Sequence, residues 1–240
     1  MLVDISDNSN RTVLVTGSSR GIGRIISEHL LESNFQVVGV SRGVSDLVHP
    51  NYRHHPVDLL DPAAVANLFS TLRKLEINVD TLINNAGVLT SQYALILDPF
   101  RAQDMVLTNL WAPFVISREA ARNMRKQKWG RIVHIGSMAP TLEVQGDSIY
   151  AACKKGLEVY SNVIARELSQ FNITSNVLGI SAYPTEMLSQ LPSAALQNAL
   201  EMLPISKMAE KEDIFNLLDF LISTKSSNIT AQTIYLGGAH

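Results

Sequence analysis

The chain carries a single cysteine, Cys153, among its 240 residues. One thiol cannot close an internal disulfide, so the sequence predicts a reducing, cytoplasmic setting. Charge is also sparse: Asp, Glu, Lys and Arg make up 18% and sum to a net of −2. No long run of one sign occurs, which removes the footprint expected of a nucleic-acid or membrane-surface protein. No stretch approaches the ~20 apolar residues that a membrane-spanning helix needs. The polar start "MLVDISDNSN" has neither the basic segment nor the apolar core of a secretory signal, and residues 1–10 are expected to form a tail.

Apolar residues, at 46%, are frequent enough for a sizeable core. They fall into short β-branched runs: "TVLVTG" at 12–17, "QVVGVSR" at 36–42, one within "YRHHPVDLLD", "VDTLINNAG" at 79–87, "RIVHIGS" at 131–137, "ITSNVLGIS" at 173–181 and a last in "ITAQTIYLGG". Between them lie stretches with helical spacing, such as "IGRIISEHLLES", "PAAVANLFSTLRKL" and residues 149–170. Continuous apolar strands alternating with helices predict an α/β fold, a doubly wound parallel sheet of Rossmann type with helices on both faces. A single domain is expected over 11–240, with residues 183–205 forming a helical flap over a pocket.

Two motifs carry chemistry. "TGSSRGIG" at 16–23 stands where the first strand hands over to the first helix. Gly17, Gly21 and Gly23 allow a tight turn and a close approach that any Cβ would block. The helix amides and dipole then favour an anion, and Ser19, Arg20 and Ile22 complete the loop. A dinucleotide site built for NAD places Asp or Glu about 20 residues on, to bond the ribose 2′-hydroxyl. Here the second strand ends in Ser41 and Arg42. A guanidinium there can chelate a 2′-phosphate, and Arg20 adds a second positive group, so NADP(H) is the expected cofactor.

The second motif is "IYAACKKGLEVYS", with Tyr150 and Lys154 four apart on one helix face. Taken alone the pair is ambiguous, since such spacing is common on amphipathic helices. His54 and His55 are adjacent on a strand and would face opposite ways, a poor metal pair. His134 reads as a packed core histidine, Cys153 as packing, Lys155 as solvated, and Trp111 and Trp129 as core or interface. No metal-ligand set is expected.

The ordered set "TGSSRGIG", "NNAG" at 84–87, Asn109 in "TNL", Ser137 ending "RIVHIGS" and "YAACK" at 150–154 resembles the short-chain dehydrogenase/reductase family. The resemblance runs from about residue 11 to the end and is nearest to the 3-oxoacyl-[acyl-carrier-protein] reductases. It implies Asn109, Ser137, Tyr150 and Lys154 as a catalytic tetrad. It also implies cofactor contacts from Asp58 and Leu59 at the adenine, from Asn85, Ala86 and Gly87 along the adenosine ribose, and from Thr185 at the nicotinamide carboxamide. Tyr150 would be the proton donor, Ser137 would hold the substrate oxygen, Lys154 would bond the nicotinamide ribose and Asn109 would hold a relay water. An ammonium about 5 Å from the phenol at an effective dielectric near 20 supplies roughly 3 kcal/mol, which would bring Tyr150 to about 7 to 8.

Two departures stand out. Ile180 and Ser181 replace the Pro-Gly common after the sixth strand, so that turn must take another path or accept strain. Ala231 stands where the family commonly has glycine. A basic cluster, "MRKQK" at 124–128, matches the place where the carrier-protein reductases dock their acidic partner, although Phe171 replaces a second basic residue. The implied activity is NADPH-dependent reduction of a carbonyl, with 3-oxoacyl chains on acyl carrier protein as one substrate class. An alcohol dehydrogenase or ketoreductase acting on a sugar, polyketide or other secondary metabolite is the second reading, and a non-catalytic dinucleotide sensor the third. The resemblance further implies a homotetramer or homodimer, joined through the helices bearing Asn109 and Tyr150.

Overall fold

The computed structural model describes residues 8–190 and 193–239. Most of the expected tail, and residues 191–192 of the expected flap, lie outside the described residues. The elements run β1 (Thr12–Thr16), α1 (Gly21–Glu32), β2 (Gln36–Ser41), β3 (Tyr52–Pro56), α2 (Pro62–Lys74), β4 (Val79–Asn84) and α3 (Pro99–Val106). A π-turn over Leu107–Trp111 leads into α4 (Ala112–Gln127), followed by β5 (Gly130–Ser137), the short α5 (Ala139–Leu142), α6 (Ser148–Leu168) and β6 (Ile173–Ile180). The chain closes with α7 (Ser193–Glu201), α8 (Lys211–Ile222) and β7 (Thr233–Tyr235).

The strands form one sheet in the order β3-β2-β1-β4-β5-β6-β7, and every neighbouring pair is parallel. Strand alternation divides the apolar residues between two cores. Val13 and Val15 face α1 and α8, where Ile26, Leu30, Ile214 and Leu218 are buried. Leu14 points the other way, into the layer of Phe69, Ile116 and Met124. Because both faces are covered, β1, β4 and β6 are buried along their whole length.

Three helix starts, those of α2, α3 and α8, are capped as their sequences suggest. The Asp61 carboxylate accepts from Ala63 N and Ala64 N ahead of Pro62, and Asp98 accepts from Phe100 N ahead of Pro99. Helix α8 begins with a reciprocal capping box between Glu210 and Asp213. Helix α1 differs, with no side-chain cap and no acidic residue in its first turn. Its leading amides are therefore left to something else.

The expected strands form, though several are shorter than their apolar runs. Strand β4 stops at Asn84, and β7 covers only Thr233–Tyr235 because Gly237 and Gly238 take φ of 79° and 83°. The expected flap holds a 3-10 turn at Leu188–Gln190 and helix α7. Neither Ile180 nor Ser181 has positive φ, so the turn after β6 takes a path that needs no glycine. His134 is fully buried; it accepts from Asn84 Nδ2 at 3.1 Å, and its Nε2 lies 3.4 Å from Ser175 Oγ. Trp129 lies between two guanidinium groups, those of Arg11 at 4.7 Å and Arg131 at 4.4 Å.

Ala231 adopts φ of 56°, in the left-handed region, while its N–H donates to Ser175 O at 2.9 Å. The Cβ clash there costs about 1–2 kcal/mol. Glycine would relieve it at about 0.4–1 kcal/mol of extra unfolded-chain entropy. Ala231→Gly should therefore stabilise the protein by up to ~1 kcal/mol and raise Tm by about 2–4 °C in a calorimetric scan.

Candidate active site

Strand order reverses direction between β1 and β4, and in sheets of this kind ligands bind outside the carboxyl ends at such a point. The loop after β1 is pinned there by backbone. Gly17 N donates to Val40 O at 2.7 Å, and Gly17 and Gly21 have φ of 67° and 56°. A Cβ on Gly23 would fall 2.2 Å from Gly17 O, and one on Gly17 would fall 2.9 Å from Asn85 Nδ2. The loop is therefore a cradle of bare backbone leading into the uncapped first turn of α1, and its residues fit a pyrophosphate.

The end of β4 is tied to the same loop. Thr16 Oγ1 accepts from Asn85 N at 2.9 Å and Ala86 N at 3.0 Å, while Asn85 Nδ2 donates to Thr16 O at 2.9 Å. The Asn85 amide thus holds the loop in place. Thr16 shares this work, a role that single-motif reading missed although the residue opens "TGSSRGIG". Gly87 lies where a Cβ would meet Asn109 Oδ1 at 2.9 Å and Lys154 Nζ at 3.9 Å, so this corner touches both tetrad residues.

At the adenosine end the positions spread outward. Asp58 is exposed and accepts from Leu60 N at 3.0 Å, and Leu59 is buried in the core. Arg42 is exposed at the end of β2. Ser41 and the Gly43 carbonyl beside it meet His54 Nε2 at 3.3 and 2.8 Å, and the other ring nitrogen meets the Tyr52 hydroxyl. Tyr52 also bonds Ser18, and a Cβ on Gly39 would fall 2.1 Å from its hydroxyl oxygen. This relay from the glycine loop to the Arg42 corner was not visible in the sequence, because its members belong to three separate strands and loops. Arg20 does not reach that corner; its guanidinium pairs with Glu186 at 2.9 Å, with both groups largely exposed. Such a surface pair is worth less than about 1 kcal/mol and yields readily to a competing anion. Thr185 is close by, its methyl 3.7 Å from a Cβ built on Gly21, and its Oγ1 accepts from Leu188 N.

The four tetrad positions converge. The β5–β6 register sets Ser137 opposite Ile180 at the carboxyl edge of the sheet. The Ser137 hydroxyl lies near enough to the Tyr150 phenol to pull its pKa down, and it accepts from Ala139 N at 3.2 Å. Tyr150 and Lys154 are both buried on α6, with Lys154 Nζ 5.7 Å from the Tyr150 ring centroid. Nζ donates to Ile135 O at 2.7 Å, anchoring α6 to β5. Asn109 is fully buried in the π-turn; its amide donates to Val88 O at 2.8 Å and accepts from Val88 N at 3.0 Å. Both side-chain atoms brace the segment after β4. Cys153 is buried between these groups, and exposed Lys155 pairs with Glu158 at 2.7 Å.

The electrostatics correct one expectation. Burial pushes the Tyr150 phenol up to about 12, with the Ser137 hydroxyl pulling the other way. Burial also pushes Lys154 down to about 8. Coulomb attraction alone would have lowered the phenol, but both groups have lost water and the ammonium is turned toward the Ile135 carbonyl. In the chain by itself Tyr150 is a neutral phenol at every physiological pH. His134, just below, is driven down to about 3 by burial and then by the Lys154 charge, so the lysine is the cation of this region.

A backbone cradle that fits a pyrophosphate beside a buried tyrosine–lysine pair suits hydride transfer between a nicotinamide and a carbon–oxygen centre. The class is therefore a nicotinamide-dinucleotide-dependent oxidoreductase acting between CH–OH and C=O. Sequence comparison gives the family: the model described as short chain dehydrogenase matches residues 11–195, and the chain belongs to that family. The 3-oxoacyl-[acyl-carrier-protein] reductase of Salmonella typhimurium is 32% identical over 234 residues, 95% of this chain and 96% of its own length. The solved 4-hydroxyisoleucine dehydrogenase complexed with NADH superposes with a TM-score of 0.85 at 26% identity, covering 95% of this chain and 97% of its own. A short chain dehydrogenase from Leptospira borgpetersenii with bound NAD+ matches with a TM-score of 0.89 over 100% of this chain and 96% of its own, and at 20% identity it supports the fold alone. Among the described residues, no helix is long and apolar enough to cross a membrane.

Proposed function

We propose that the chain is an NADP(H)-dependent carbonyl reductase that forms a secondary alcohol, with 3-oxoacyl groups on acyl carrier protein as its leading substrate class. The observation that carries this reading is the buried Tyr150–Lys154 pair on α6, anchored to β5 through Ile135 O and set beside the glycine cradle. Gly17, Gly21, Gly23 and the first amides of α1 would hold the pyrophosphate, with Ser19, Arg20 and Ile22 in the same loop. Arg42 would meet the 2′-phosphate, Asp58 and Leu59 the adenine, Asn85, Ala86 and Gly87 the ribose, and Thr185 the carboxamide. When bound, the nicotinamide supplies the hydride that reduces the carbonyl carbon, or accepts it in reverse.

The chain's own residues handle the proton. A phenol pushed up to about 12 stays protonated, the form needed to donate to a carbonyl oxygen as negative charge develops there. Ser137 holds that oxygen with its hydroxyl. The phenolate left behind faces the Lys154 ammonium, which favours it electrostatically and shortens its lifetime by supplying a proton. Lys154 also stands near the Gly87 corner, where the nicotinamide ribose would lie.

Partner surfaces support the same reading. Arg125, Lys126 and Lys128 are exposed at the end of α4, and the Arg125 guanidinium rests 5.8 Å from the Phe171 ring centroid. Phe171 therefore takes the place of a second basic residue as a platform for the first. This corner suits an acidic carrier protein in the cytoplasm. Trp111, Phe114, Val159 and Val163 are half-exposed apolar residues on α4, α6 and the turn between α3 and α4, as pairing of copies into a dimer or tetramer would require.

Tyr150→Phe should lower turnover by a factor of roughly 10²–10⁴. It should leave the Kd for NADPH within about threefold by titration calorimetry, because the phenol oxygen is lost while the ring packing stays. Retained turnover would remove Tyr150 as the donor. Arg42→Ala should raise the NADPH Kd by about 10- to 100-fold, since hydrogen bonds to charged groups are worth about 1.5–3 kcal/mol. Equal weakening of NADH would place Arg42 away from the 2′-phosphate.

A further inference from the structure

Asp147 is the residue before α6, three positions ahead of Tyr150. An aspartate there normally turns its carboxylate onto the amides of the first turn, as Asp61 and Asp98 do. Asp147 makes no such cap. It is only 9% exposed, and its Oδ1 is buried with no hydrogen-bond partner. Asp147 lines a cleft of about 550 Å³ between two loops, with Tyr93 and Ala94 on one side and Glu143, Val144, Gly146 and Ala151 on the other. The two loops are laced together: Gln92 N donates to Gly146 O at 2.9 Å, and a Cβ on Gly146 would crowd Ser91 Oγ at 3.0 Å.

A buried carboxylate oxygen without a donor is destabilising, and a native structure keeps one where something else completes it. Burial accordingly pushes the Asp147 carboxyl up, with the Ser91 hydroxyl pulling the other way. The cleft adjoins the proposed proton donor, since Asp147 and Ala151, which line it, stand three positions before and one after Tyr150 at the start of α6. Its charged lining is acidic, Glu143 and Asp147, with no basic side chain among the lining residues. An anion is repelled there, an apolar group leaves Oδ1 orphaned, and a hydrogen-bond donor satisfies it.

We propose that Asp147 is a specificity-determining residue of the substrate cleft, and that the substrate carries a hydrogen-bond donor close to the carbonyl that Tyr150 protonates. This rests on the carbonyl-reductase reading and narrows its substrate class. A hydroxyl on a metabolite ketone and the amide N–H of a pantetheine arm are both such donors, and they separate in the test. Sites that hydrogen-bond a substrate group discriminate strongly against analogues that lack it, because the protein's own polar atom is then left unpaired.

The test follows NADPH oxidation by the full chain with three ketones: a straight-chain ketone without a donor, its α-hydroxy analogue, and the acetoacetyl thioester of N-acetylcysteamine, which carries an amide N–H. The readout is the ratio of kcat/KM for each donor-bearing ketone to that for the plain one. In the ratio, any effect of Asp147 on Tyr150 acidity cancels. Asp147→Ala should lower the ratio about 10- to 150-fold for at least one donor-bearing ketone, the range expected for a hydrogen bond to a charged group. Asp147→Asn, which keeps an acceptor oxygen and the side-chain shape, should lower it less and guards against misfolding of the alanine variant. A fall with the hydroxyketone alone assigns a hydroxylated metabolite, and a fall with the thioester alone assigns the pantetheine amide. Unaltered ratios in both variants would overturn the inference while leaving the reductase reading intact. A wild-type chain inert toward all three ketones would overturn both.

Discussion

The Lys154 ammonium is bonded to the Ile135 carbonyl at 2.7 Å in a buried position, and the site is built around that contact. A buried cation without a carboxylate opposite is unfavourable, and burial alone pushes Lys154 down to about 8. The fold tolerates it because the same contact locks α6 onto β5. That lock brings Tyr150 to Ser137, although the two residues lie on different elements. It also explains the neutral His134 beneath, whose ionisation is opposed by burial first and by Lys154 second. Stability is given up here for a proton-handling group in a dry site, a pattern common where function and folding compete.

The rest of the crevice is a matter of holding two strand ends together. Thr16 and Asn85 bind the ends of β1 and β4 to one another, and the glycines let backbone lie against backbone. Asn109, in the π-turn, braces the next segment through Val88. A π-turn displaces one residue from the helical ladder, and such turns often occur at functional sites. The glycine loop, the strand-end brace and the Tyr150–Lys154 pair therefore meet in one place although they are far apart in sequence. The parallel sheet makes this possible, because all its strands deliver their carboxyl ends to one edge.

Much of this was legible in the sequence. Continuous apolar strands could only belong to a sheet covered on both faces, and "TGSSRGIG" needed the backbone freedom that Gly17 and Gly21 show. What escaped depends on tertiary placement. The Tyr150 acidity was misjudged because a pairwise Coulomb estimate sees Lys154 but not the loss of water from both groups. The Arg20–Glu186 pair is equally invisible in the sequence, since its partners lie 166 positions apart. The Asn85 amide turns inward for a similar reason, since Thr16 is its neighbour only after β1 and β4 pair. The π-turn leaves no mark on periodicity, and β7 ends early at two left-handed glycines within an otherwise strand-like run. Ala231 was noted as a departure from glycine, but its positive φ required coordinates.

On the proposed mechanism a buried, positively charged Lys154 serves a neutral Tyr150. The pH profile of kcat/KM for carbonyl reduction tests it most directly, because that profile reports ionisations of the free enzyme. The expected profile is a plateau through neutral pH and a fall with unit slope above about 8, where Lys154 loses its proton while Tyr150, pushed up to about 12, keeps its own. A profile that stays level to pH values near the ordinary lysine pKa of about 10.4 would contradict it.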